Sequence, residues 1–568
     1  MFQAFRRDSL LSACFFGWVL FVPGTRMEAA DVERFGVFEA QFEASGSYEN
    51  PYTQLAPVAE IQRPDGAVWK IPLFWDGEKT WKLRVSPDLD GEWRYRVESS
   101  DDGLRGKEGS FRCQTSRRNG SIRPMVGFPH HFQYQDGTPF WFLGDTAWAL
   151  YTDQEEENHH REAVEHYTKA RAAQGFNVIH SMLLSEAGWE NLGGPPFEDI
   201  AEQRISVGYW KEVDRRLRLL NEHGIIGGLV LAWGNKRDVE PYSWGRFPGR
   251  QARLRYARYV AARYSAFDIY FVVSGEWHAE VRTRENEPGE RIRQEFVEVG
   301  EILKKADPHS RMITIHPMAD HGSVREFAGT SWASFADYQQ SYRSLHERVL
   351  LSRPIGLPVV NSEYAYFLRD QNEDGIVDKP NSYTPDDIRA ASWDIVMGGG
   401  YFVTGFGSTY FGGYRHPGTF DLELAANDQW EYQAPQIKRF FSRLEWWKLV
   451  PADRLLASEE ELGADRVRRT EQRGTPRNVV QPPERAYWAL MEPGNVYVVY
   501  LRGVSRPVEL FIEAVAGDFS LQRLNPRTGE LSELDRQFIA DSIEIIPPDE
   551  KDWVYLLRRI PKSTSTPN

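Results

Sequence analysis

The chain has almost no cysteine: two in 568 residues, Cys14 and Cys113. A disulfide framework is excluded as its source of stability. Positive charge is also short, with 68 Lys and Arg against 82 Asp and Glu and a formal net charge of -14. Phosphate neutralisation needs clustered Lys and Arg, so a general nucleic-acid surface is excluded. Past the N-terminus no apolar run reaches the roughly 20 residues that a membrane-spanning helix needs. No G-x-G-x-x-G follows the first strand of the central region, which removes the dinucleotide-binding open sheet as an architecture. Aromatic rings, by contrast, are plentiful: 19 Trp and 25 Tyr. Most must serve core packing, but such rings also offer apolar faces with polar edges, the surface on which sugars stack.

The N-terminus reads as a signal peptide over residues 1–30. Arg6 and Arg7 open it, Leu10 to Val22 form its apolar segment, and Glu28-Ala29-Ala30 offers a small-residue cleavage region. The expected location is secreted or periplasmic. Leu11-Ser12-Ala13-Cys14 looks like a lipoprotein box, but its apolar residues follow the cysteine instead of preceding it, so lipid anchoring is not expected. Cys113 is expected to be a lone buried thiol.

The length implies about three domains. Residues 31–116 alternate apolar and polar positions between turns, with Asp65-Gly66 and Asp76-Gly77 as the clearest hairpin signals, and read as a small β-sandwich. After a linker, Ser116 to Pro129, residues 125–450 alternate apolar strands with helical runs. In one of these runs Trp210, Val213, Leu217 and Leu220 recur at helical spacing. Eight such units predict an α/β TIM (β/α)8 barrel. Strand patterns return over residues 451–562, a second β-sandwich.

Two barrel strands end alike. Asp268 to Trp277, DIYFVVSGEW, closes the fourth strand on Glu276, and Pro358 to Tyr366, PVVNSEYAY, closes the seventh on Glu363. The C-terminal strand ends of a barrel converge on one pocket. Two carboxylates there, about 5 to 5.5 Å apart, suit glycosidic bond cleavage with retention. Glu363 is read as the nucleophile. Glu276 is read as the acid/base, expected to carry a raised pKa, with Trp277 helping to desolvate it. A rim ion pair with Arg is the bland alternative for either residue.

Other strand-end residues are candidates for substrate binding. Asp145 ends the first strand, as a sugar ligand or a helix N-cap. Trp148, Trp233 and Trp277 are rings for stacking or for the core. His180, His316 and Gln339 end strands two, five and six as hydroxyl donors, or as satisfied core groups. Tyr364 and Tyr366 flank the nucleophile, one to orient it and one to pack. Asp370, Asn372, Asp374 and Asp378, with Gly375 at the turn, follow the spacing of a calcium loop, but position twelve is Asn381 where a bidentate Glu belongs. A structural Ca2+ and a solvated acidic loop both fit, and the chemistry itself requires no cofactor. A Schiff-base aldolase is excluded because none of the eight strands ends on Lys. A metal amidohydrolase is excluded for want of clustered His. The remaining alternative is a non-catalytic secreted protein that binds carbohydrate or matrix.

FWFLGDTAW, RYSAFDIYFVVSGEW, ITIHPMADHGS, SFADYQQSY and PVVNSEYAY together resemble the apiosidase-like glycoside hydrolases, whose members often carry an N-terminal β-sandwich and end in a small β-domain labelled collagen-binding. The resemblance implies a polysaccharide or oligosaccharide substrate, probed on a plant or algal glycan. It also implies retaining chemistry with the acid/base after strand four and the nucleophile after strand seven. One departure stands out: the wider group has Asn before the acid/base, where this chain has Gly275.

Overall fold

The computed structural model describes residues 30–153, 160–185, 188–235, 241–319, 326–339, 345–364, 385–405, 430–457, 486–513 and 516–561. Its centre is a ring of eight parallel strands: β1 (Leu143–Thr146), β2 (Val178–Met182), β3 (Ile226–Val230), β4 (Ile269–Val272), β5 (Ile313–Thr314), β6 (Ala336–Gln339), β7 (Val359–Glu363) and β8 (Tyr401–Gly405). The hydrogen-bonded order is 5-4-3-2-1-8-7-6. A parallel bridge between Ile313 and Ala333 closes the seam between β5 and β6, where Ser334 N donates to Ile313 O at 2.9 Å. Helices α1 (Arg161–Gln174), α2 (Val207–Glu222), α3 (Arg250–Tyr264), α4 (Gly289–Ala306), α5 (Leu345–Ser352), α6 (Pro385–Met397) and α7 (Trp430–Phe441) cover it. The fold is a TIM barrel.

Each strand is buried on both faces, which is why the strands read as unbroken apolar runs. Alternation along a strand still sorts the side chains. In β2, Val178 and Met182 join the barrel interior with Tyr270 and Val230. Ile179 instead meets Val164 and Tyr167 of α1 in the outer layer. His180 shares the inward parity.

The expected linker holds a correction. Ile122–Met125 and Phe128–Tyr134, with Pro139–Phe140, form a three-stranded antiparallel sheet. Its Phe132 ring sits 5.3 Å from Phe142 and 5.8 Å from Phe335, plugging the floor of the barrel. Ile122 and Met125 are buried, so this stretch is core and not tether.

The flanking domains are β-sandwiches. At the N-terminal side a five-stranded and a three-stranded sheet enclose Ile61, Leu83, Trp93 and Phe111. The turns at Gly66 (φ +85°) and Gly77 (φ +104°) take the left-handed backbone that glycine permits. This sandwich docks through buried ions: Arg84 donates to Asp214 of α2 at 2.5 Å, and Arg263 of α3 reaches both Asp214, at 2.8 Å, and Asp76, at 2.9 Å. At the C-terminal side a six-stranded sheet packs one face on α5 and α6 and the other on a three-stranded sheet. Trp488 stacks on His346 at 3.8 Å and its indole N–H donates to Asp394 at 2.9 Å.

Candidate active site

Beyond Val272 the backbone of β4 keeps pairing with the chain beyond β3. Gly275 N donates to Ala232 O at 3.1 Å and Gly234 N to Gly275 O at 2.8 Å. Glu276 then turns at φ +37°, a left-handed conformation that costs a residue with a side chain and that clusters at functional sites. Its carboxyl is buried and accepts the indole N–H of Trp233 at 3.3 Å. The next residues form a short helical turn, His278–Thr283.

Glu363 closes β7 opposite Gln339 of β6, where a register shift marks a bulge. Its Oε2 accepts from His316 Nε2 at 3.1 Å. The other ring nitrogen, Nδ1, bonds Ser362 Oγ at 2.8 Å, and that hydroxyl donates to Asp337 Oδ1 at 2.5 Å. Asp337 Oδ2 lies 3.4 Å from Nδ1 as well. Burial alone would keep His316 neutral, but Asp337 and Glu363 outweigh it and push the imidazole up to about 10. Both ring nitrogens therefore donate, and Glu363 is held by a cation.

Rings connect the partners of the two acids. Trp148 packs 5.0 Å from Trp233, edge to face, and 5.0 Å from His180; Trp233 lies 5.7 Å from His316. His180 is fully buried, and among the described residues neither of its ring nitrogens has a partner. Burial, with the neighbouring His316 charge, holds it well below the ordinary histidine value, so it is a neutral donor and acceptor. Gln339 is also buried, with its Oε1 unpaired among the described residues. Glu276, Glu363, Trp148, Trp233, His180, His316 and Gln339 thus share the mouth end of the barrel.

Three expected ligands turn elsewhere. Asp145 faces outward from β1: Tyr167 donates to it at 2.7 Å and Arg171 at 2.5 Å, both from α1. It is neither a sugar ligand nor a helix cap, because its carboxylate neutralises a buried arginine. Trp277 points away from the mouth, 6.0 Å from Phe296 of α4 and 5.2 Å from Phe327, so it does not desolvate Glu276 from the pocket side. Tyr364 is the packing tyrosine, bonded to Ser392 of α6 at 2.6 Å. Tyr366 and the calcium-like residues Asp370, Asn372, Asp374 and Asp378 lie outside the described residues. Among the described residues no group of three or more His, Cys, Asp and Glu is arranged to hold a metal ion. Two residues that sequence reasoning passed over, Asp337 and Ser362, complete the support of Glu363. Their signal was available: Asp337 stands two residues before Gln339, on the same strand face.

Residues 129–448, more than half of the chain, match the family of apiosidase-like catalytic domains. The protein belongs to that family. Residues 31–100 of this apiosidase-like chain match a family described as a domain of unknown function, DUF5060. Comparison with curated proteins returns no match. Among solved structures, a candidate glycoside hydrolase from Bacteroides vulgatus ATCC 8482 superposes with a TM-score of 0.70 at 17% identity, over 94% of this chain and 100% of its own. A protein named glycoside hydrolase gives 0.60 at 18% identity, over 78% and 97%. A family 5 glycoside hydrolase, again from Bacteroides vulgatus ATCC 8482, gives 0.59 at 17% identity, over 78% and 94%. These likenesses carry the fold, and the family match carries the class of chemistry, glycoside hydrolysis. The steric reason for Gly275 is local: a Cβ there would stand 2.1 Å from a Trp233 ring carbon, so no larger residue fits beneath that indole.

Proposed function

We propose that this apiosidase-like protein is an exported retaining glycosidase acting on a complex plant or algal polysaccharide or its side chains. Glu363 is the nucleophile and Glu276 the acid/base. The observation that carries the assignment is the difference between their partners. Glu363 is bonded by the His316 imidazolium, which favours a carboxylate ready to attack the anomeric carbon. Glu276 accepts from Trp233, a neutral donor, which suits a carboxyl that starts protonated. In the first step Glu276 gives its proton to the glycosidic oxygen while Glu363 forms the glycosyl ester. In the second, Glu276 removes a proton from water, which opens the ester with net retention. His180 and Gln339, whose buried polar atoms have no partner among the described residues, are the groups suited to read ring hydroxyls. Export is supported by the signal-type N-terminus.

The test is hydrolysis of a glycan and aryl-glycoside panel by the wild type, Glu363→Gln and Glu276→Gln, with product anomers followed by NMR. Cleavage with retained configuration, abolished in Glu363→Gln, is expected. Inverted product would remove the nucleophile role, and unchanged activity in both variants would remove the site. Binding without any cleavage would favour a carbohydrate-binding role.

A further inference from the structure

The contact between Trp233 and Glu276 carries more information than stabilisation, and the argument rests on the acid/base role proposed above. We infer that Trp233 is the positioning residue of the acid: its indole N–H claims Oε2 of Glu276 and thereby assigns the transferable proton to Oε1.

The chemistry is one of donors and acceptors. An indole N–H donates and has no lone pair with which to accept. A protonated carboxyl has one hydroxyl oxygen and one carbonyl oxygen, and only the latter suits a facing donor. Trp233 Nε1 lies 3.3 Å from Oε2. A proton on Oε2 competes with that N–H for the same space, so it resides on Oε1. On bond cleavage Oε1 gives its proton to the glycosidic oxygen, which keeps the electron pair of the breaking C–O bond. Glu276 becomes a carboxylate, and its Oε2 now receives a stronger, charge-assisted bond from the same N–H. Attack by water on the glycosyl ester later returns one proton to Oε1, restoring the acid.

For this to work the indole must keep its orientation, and it is packed closely on two sides. The ring lies on Gly275, where even a Cβ would come within 2.1 Å of it. Trp148 meets its face at 87° and 5.0 Å. The adjoining backbone is equally tight: a Cβ on Gly234 would come within 2.6 Å of Glu276 O. Two glycines, Gly234 and Gly275, thus let the two strand ends close together, and the left-handed turn of Glu276 swings its carboxyl onto the indole edge. A ring retained for sugar stacking would present a face to solvent, but Trp233 is buried.

Trp233→Phe keeps most of the ring and removes the donor. The probes are the phenyl and 2,4-dinitrophenyl glycosides of the sugar that the panel returns. Phenolate needs a proton to leave, while dinitrophenolate does not. General acid catalysis contributes roughly 10²–10⁴-fold, so misdirecting the proton should lower kcat/KM at least about tenfold more on the phenyl than on the dinitrophenyl glycoside. Gly275→Ala, which pushes the ring aside, should give the same split. Equal losses on both probes would reduce Trp233 to a packing residue and overturn the inference. A second measurement needs no substrate: the indole ¹⁵N–¹H resonance that Trp233→Phe deletes should titrate with pH in the wild type and stay flat in Glu276→Gln. A resonance that Glu276→Gln leaves unmoved would also overturn it. Full activity in Glu276→Gln would instead sink the functional reading, whereas an inactive Glu276→Gln beside an unsplit Trp233→Phe sinks the positioning role alone.

Discussion

Asp337→Asn tests the support of the nucleophile most directly. Asp337 keeps His316 charged from behind, through Ser362 and at 3.4 Å across the ring nitrogen. The imidazole rises from 6.5 to about 10 in the fold. At about 1.4 kcal/mol for each pH unit, this linkage is on the order of 4 kcal/mol near neutral pH. The sign follows from the direction. A folded pKa above the unfolded one gives stability that is complete below about 6.5 and is lost as pH climbs through about 10. Wild-type unfolding free energy, measured by urea titration at steps from pH 6 to pH 10, should therefore fall more steeply than that of Asp337→Asn, in which only Glu363 remains to oppose the burial of a charged His316. Activity should drop with it. Replacing the charged donor to Glu363 by a neutral one removes about 1–1.5 kcal/mol, roughly 5- to 10-fold in kcat/KM at pH 7. Parallel stability curves for the two proteins would refute the claim that Asp337 holds His316 charged. Unchanged kcat/KM would refute the claim that this charge serves Glu363.

Asp145→Asn should leave KM for any glycoside unaltered but destabilise the fold by about 3–5 kcal/mol, because Arg171 stays buried without its counter-ion; a raised KM in a protein of normal melting temperature would restore Asp145 to the sugar site. Asp214→Ala removes the carboxylate that Arg84 and Arg263 share between the N-terminal sandwich and the barrel, leaving Arg84 with Glu39 and Arg263 with Asp76. A loss of about 3 kcal/mol is expected by chemical denaturation, and a loss below about 1 kcal/mol would mean that Glu39 and Asp76 suffice to hold the two arginines. His346, bonded to Asp453 at 2.7 Å, is raised above its ordinary value because that carboxylate outweighs burial. Its contribution is complete below 6.5 and fades as pH rises through its folded value, so amide exchange in the strand Ala486–Glu492, corrected for intrinsic rates, should accelerate from pH 6 to pH 9 in the wild type and show no such excess in His346→Gln.

The barrel was readable because its strands are buried twice over. A parallel strand with helices outside and a packed interior must be apolar along its whole length, so Val178–Met182, Ile226–Val230 and Tyr401–Gly405 declare themselves as runs. The same property hid the parity. When both faces of a strand are apolar, the sequence does not mark which residue points inward, and a polar residue within the run looks like a site residue from either face. Asp145 and His180 are one such pair. Both lie in their strands, both are fully buried, and one meets Arg171 in the helical layer while the other meets Trp148 in the interior.

Adjacency misled in the same way at Glu276. The chain leaves its extended course at Glu276, whose left-handed turn leads into the helical turn His278–Thr283, so the acid stays in the mouth while Trp277 turns outward to pack against Phe296 and Phe327. The ring that does touch the acid comes from another strand end, forty-three residues earlier. Its clue was Gly275, a residue with no side chain at the most exacting point of the chain. A glycine there requires something to occupy the space its side chain gives up, and a bulky ring on the neighbouring strand meets that requirement. Trp233 stands directly across from Gly275 in the parallel bridge. The glycine, the left-handed turn of Glu276 and the buried indole are consequences of one geometric demand, that a neutral donor face the acid while a cation faces the nucleophile.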